Sequence, residues 1–129
     1  MGIDIYMRWK GMTEEEEQAQ YTGYSTWSGH VGYLREAYHG GSYATMEFLP
    51  EAFQEDTPDE GVQIASVTLR ERLGAIVELV VYRESHVYGK VFEDDPLKDR
   101  TIRSYIDFVE LAERKETETG EPIRIVASY

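Results

Sequence analysis

The chain has no cysteine, which removes disulfides, thiolate metal sites and cysteine nucleophiles together. No apolar run approaches the roughly 20 residues that span a bilayer. The opening Met-Gly-Ile-Asp-Ile-Tyr lacks the basic stretch and apolar run of a secretion signal. The expectation is a cytoplasmic protein with no membrane contact. Basic residues are scarce too, with 13 Lys and Arg against 25 Asp and Glu and a formal charge of −12. Between residues 13 and 60 the single basic residue is Arg35. Such a field repels phosphate backbones, so nucleic acid is not an expected ligand. It suits plain solubility, or a surface that meets a basic protein partner as inhibitors and immunity proteins do.

Motifs of known mechanics are also missing. There is no His-Glu-x-x-His and no Gly-x-Ser-x-Gly turn. Among 25 acidic residues no two can be nominated as a glycosidase pair. Gly40-Gly41-Ser42 follows a predicted helix instead of opening one, so it does not read as a phosphate cradle. No cofactor is expected.

What is present is a chain of 129 residues, read as a single domain 1–129, able to bury about two thirds of its unfolded surface. Ile3, Ile5 and Met7 alternate with polar neighbours, which predicts a strand near 2–9. Thr13 and Glu16 form a capping box that starts a short solvated helix, stopped near Gly23. Val31, Leu34 and Tyr38 share one face of a further short helix, closed by Gly40. Alternation resumes over 42–49 and predicts a second strand, followed by an acidic surface loop at 54–61.

Leu69, Leu73, Ile76, Val80 and Val87 form one stripe and predict a long helix near 68–87, capped by Thr68 and Glu71. The β-branched run 76–82 keeps a strand as its competitor. Asp95-Pro96 predicts the start of a second long helix near 96–119. Asp99 with Arg103 and Glu110 with Arg114 stand as i, i+4 pairs on it. Phe108 and Leu111 lie outside its main stripe, so either another element or a second copy in a homodimer must cover them. A last strand is predicted at 123–128. The sum is α+β, a small, mainly antiparallel sheet packed against two long helices.

The segment Trp27–Tyr43 carries the candidate site. Trp27, Tyr33, Arg35, Tyr38 and Tyr43 provide stiff aromatic area beside a lone guanidinium, a composition suited to ligand or peptide binding. Glu36 and His39 form a Glu-x-x-His pair that is a weak metal candidate, because di-iron sites use two such motifs. His30, Glu36 and His39 are the candidate catalytic residues, with Arg35 as an anion clamp. That chemistry requires His30, Arg35, Glu36 and His39 to share one concavity. Without it, an acidic interaction protein that recognises a protein partner is the reading.

Overall fold

A computed structural model describes residues 2–22 and 28–129. The four strands are β1 (Gly2–Arg8), β2 (Tyr33–Ala37), β3 (Val62–Ile64) and β4 (Ile123–Ser128). They form one antiparallel sheet in the order β2-β1-β4-β3. The helices are α1 (Glu14–Tyr21), α2 (Ala44–Phe48), α3 (Ser66–His86) and α4 (Arg100–Thr119). The α+β class, the antiparallel sheet and the two long helices are as the sequence predicts. No helix among the described residues is long and apolar enough to cross a membrane.

One face of the sheet makes the core. Ile3, Ile5 and Met7 of β1, Leu34 of β2, Ile64 of β3 and Ile123 and Ile125 of β4 are all buried against the helices. Leu69, Leu73, Ile76 and Val80 of α3 meet them, with Ile102, Tyr105, Phe108, Val109 and Ala112 of α4. The run 76–82 is therefore helix; Val87 lies just past the helix end and is exposed. Phe108 and Leu111 are also buried, Phe108 against Phe48 of α2 and Leu111 beside Gly32. Another element covers them, so they give no ground for a second copy.

Several boundaries differ from the sequence reading, each for a local reason. Residues 42–49 are not a strand, since α2 occupies 44–48. Ala44, Thr45, Phe48 and Leu49 are the buried positions, a helical spacing that strand alternation would have turned outward at Thr45 and Leu49. The predicted helix over 31–38 is only a 3-10 turn, Gly29–Val31, followed by β2. Gly32 sits at φ +89° and its carbonyl accepts from Met7 N at 2.8 Å, so the chain leaves the turn directly into the sheet. Tyr38 then falls beyond β2 and is half exposed instead of joining the core.

The Thr13–Glu16 capping box forms as predicted, with Glu16 N to Thr13 Oγ1 at 3.1 Å and Thr13 N to Glu16 Oε1 at 2.9 Å. Its predicted stop, Gly23, lies outside the described residues; Thr22 is the C-cap. The Thr68–Glu71 box does not form, because α3 starts at Ser66. Glu116 of α4 instead accepts from Ser66 N and Ser66 Oγ, a cap supplied by the neighbouring helix. Asp95 caps a short 3-10 turn, Pro96–Lys98, and Asp99 caps α4 through Thr101 N. Asp99 spends its carboxylate on that cap and on Lys90, so Arg103 turns to Asp107 and Glu110.

Candidate functional site

Because residues 33–37 form a strand and not a helix, neighbouring candidate residues point to opposite faces of the sheet. Tyr33 and Arg35 pair with Tyr6 and Asp4 on the outer face, and Leu34 and Glu36 pair with Ile5 and Ile3 on the core face. The predicted group of four is divided by this alternation.

On the core face Glu36 is almost wholly buried, and every lone pair it offers is taken. Its Oε1 accepts from Thr45 N at 2.9 Å and Thr45 Oγ1 at 2.7 Å. Its Oε2 accepts from Ala44 N at 2.9 Å and Arg83 Nη1 at 2.8 Å, and lies 3.1 Å from His39 Nε2. Burial opposes the charge, yet the backbone and hydroxyl of Thr45, Ala44 N–H and His39 together hold the carboxyl below its ordinary range. Arg83 is buried as well and also pairs with Glu84 at 3.0 Å. The Tyr105 phenol beside it is pushed up by burial and by the Glu36 carboxylate.

This cluster joins β2, the loop after it, α2 and α3. Its chemistry is limited by its own completeness, because Glu36 is ionised and saturated and cannot take a substrate proton without losing a donor. His39 keeps one nitrogen, Nδ1, without a partner, and that atom is buried. An added Cβ on Gly41 would lie 3.3 Å from it, so the Gly41 backbone passes directly over it. Glu36 and His39 are two ligands only; among the described residues no group of three His, Cys, Asp or Glu could hold a metal ion.

On the outer face Tyr33 is fully buried and donates to Asp4, while Arg35 Nη1 donates to the same Asp4 oxygen at 2.7 Å. Burial and the Asp4 carboxylate both push the Tyr33 phenol up. The guanidinium offered as an anion clamp is thus engaged, on the face away from the Glu36 carboxylate. His30 is exposed in a separate cleft lined by Trp9, Glu16, Leu111 and Lys115. Trp27 lies outside the described residues. His30, Arg35, Glu36 and His39 do not share one concavity: Glu36 and His39 touch, Arg35 and Glu36 both border a cleft at the β2 edge, and His30 lies in another.

Tyr38 and Tyr43 belong with His39. Ring centroids lie 4.6 Å apart for His39 and Tyr43, 6.3 Å for Tyr38 and Tyr43, and 6.5 Å for His39 and Tyr88. The end of α3 adds Tyr82, stacked on His86 at 4.1 Å. Between them runs a cleft of about 150 Å3 lined by His39, Gly41, Ser42, Leu79, Tyr82, Arg83 and Val87. A second, of about 250 Å3, flanks Arg83 on the side of Arg35, Glu36, Glu84 and Tyr88. The result is an aromatic surface over a locked ionic floor.

Arg83, Tyr82 and Tyr88 were not among the residues nominated from sequence. Arg83 had a signal, since it continues the stripe Leu69, Leu73, Ile76, Val80 by one more step of three and is buried like them. A charged residue on an apolar stripe must meet a countercharge, and Glu36 is that countercharge. Comparison with known proteins finds no family model, no curated protein and no solved structure that matches the chain.

Proposed function

We propose that the chain is a non-catalytic interaction protein that docks a basic protein partner on the surface formed by Tyr38, Tyr43, Tyr82, Val87 and Tyr88. The observation that carries this reading is that Tyr38, Tyr82 and Tyr88 are each about half exposed, Tyr82 beside the cleft at His39 and Tyr88 beside the one flanking Arg83, while the Glu36 carboxylate beneath them is fully engaged. Solvent-facing tyrosines on a rigid base are typical of binding hot spots, because they bring area and a polar tip at low entropic cost. The charge of −12 favours and steers a basic partner. Arginine or lysine side chains of that partner would stack on the tyrosine faces.

The test is capture by the immobilised chain and by a Tyr82→Ala/Tyr88→Ala variant. The reading expects a basic protein that the wild type retains at low salt, releases at about 0.5 M salt, and that the variant fails to retain. Identical retention by both chains, or retention indifferent to salt, would overturn it.

A further inference from the structure

The opposite side of the sheet holds a different kind of site. Arg8 of β1 and Arg124 of β4 are direct cross-strand partners on the outer face. Like charges placed opposite each other on neighbouring strands destabilise the pair unless something negative lies between them. A chain with nearly twice as many acids as bases supplies, among the described residues, only one loose carboxylate to this pair, Glu17 beside Arg8, and none to Arg124. Arg8 turns to Gln20, Tyr21 and the Met7 carbonyl, with Glu17 no nearer than 3.7 Å. Arg124 donates to the Gly61 carbonyl at 3.0 Å and, among the described residues, has no ion pair. Lys10, two residues beyond Arg8, likewise has none.

All three cations line one cleft of about 340 Å3, within the size range of small-molecule sites. Its other walls are Trp9, Pro122 and Val126, together with the carboxylates Asp59, Glu60 and Glu121. None of those carboxylates lies within ion-pair distance of the three cations. Both signs of charge therefore line the cleft without pairing directly.

We infer that this cleft binds a small organic oxyanion that also carries hydrogen-bond donors, of the sugar-phosphate type. The oxyanion would lie between Lys10 and Arg124, whose guanidinium has donors to spare beyond the one given to Gly61. Arg8, its own donors held by Met7, Gln20 and Tyr21, adds positive charge beside it. Hydroxyl donors would meet Asp59, Glu60 and Glu121, which accept only and would repel an anion lacking such donors. The site is independent of the tyrosine surface, from which the sheet separates it.

The experiment is a two-dimensional amide NMR titration of the full chain at constant ionic strength, with ribose 5-phosphate, inorganic phosphate and neutral ribose. Ribose 5-phosphate should shift the signals of residues 8–10, 59–61 and 121–126 and bind about tenfold more tightly than inorganic phosphate. Arg124→Gln should weaken it about tenfold or more, and exposed Lys10→Gln should weaken it less, both with unchanged circular dichroism. Shifts by ribose equal to those by ribose 5-phosphate would overturn the oxyanion assignment. Equal binding of the two phosphates would overturn the role of the carboxylates. No localised shift, or binding untouched in both variants, would overturn the site.

Discussion

Replacing Glu36 by Gln keeps the shape of the side chain and removes its charge. The carboxylate now accepts from Thr45 N, Thr45 Oγ1, Ala44 N and Arg83 Nη1 and touches His39 Nε2. An amide has one oxygen and one NH2 group, so either orientation sets hydrogens against two or three of those groups. Arg83 would also keep its charge in the interior against a neutral partner. Breaking a buried pair from one side costs about 3–5 kcal/mol, against about 5–15 kcal/mol for a whole domain. The melting temperature should fall by on the order of 10–20 °C.

Urea unfolding followed by circular dichroism at neutral pH measures the loss. The double variant Glu36→Gln/Arg83→Met should be less damaged than the sum of the two single changes, since no unpaired charge remains. Acid adds a second readout. The folded-state pKa of Glu36 lies below its ordinary 4.5. Its stabilisation is therefore complete above that value and is lost as pH falls through the folded-state pKa. Glu16, Glu51 and Glu113 are lowered as well, so the wild type loses stability below about pH 4.5, and the variant, starting lower, loses less. A loss under about 1 kcal/mol at neutral pH, or an unchanged acid slope, would refute the reasoning.

Two further changes test the packing. Ser104→Ala removes the hydroxyl that accepts from Ser28 N at 3.2 Å and Gly29 N at 2.8 Å, and takes from the buried Gly29 N–H its acceptor. The same urea assay should register about 1–3 kcal/mol of destabilisation. Gly74→Ala, in the middle of α3 with nothing within 4 Å of the added Cβ, should stabilise the chain by about 0.5–1 kcal/mol. Calorimetry would read that as a rise of a few degrees.

The sequence disclosed those parts whose pattern is long compared with one turn or one strand repeat. The stripe from Leu69 to Val80 and the face from Ile102 to Ala112 repeat often enough to fix their period, and both are helices as predicted. Residues 42–49 alternate just as well on paper, yet fold as α2, because the decisive group is Glu36, eight residues earlier and in another element. Residues 31–38 fit a helical face with only three apolar positions, which is too few to outweigh a left-handed Gly32 and pairing with β1. The Glu36–His39 contact was legible as a spacing, although it arises at a strand end and not along a helix. Arg83 was legible only as an oddity in an apolar stripe. The outer-face partners of Tyr33 and Arg35 depended on register, which local sequence does not carry.

The buried pair follows a chain of necessity that begins with a very short helix. α2 has five residues and leaves Ala44 and Thr45 N–H groups inside the protein, where water cannot satisfy them. An apolar residue at position 36 would strand both donors, so the general observation that buried ion pairs can be replaced by hydrophobic residues at little cost does not transfer here. An acceptor oxygen for each donor is required, and a carboxylate supplies both. The β1 register, which sets Glu36 opposite Ile3, delivers that anion to the core face. That anion in turn requires a cation, and α3 supplies Arg83 where its stripe would otherwise continue apolar. His39, drawn onto the same carboxylate, fixes the course of residues 38–43 and with it the rings of Tyr38 and Tyr43. Capping one short helix thus sets the geometry of the aromatic surface above it. This is why Glu36→Gln should also weaken partner capture, although Glu36 itself is buried beneath that surface.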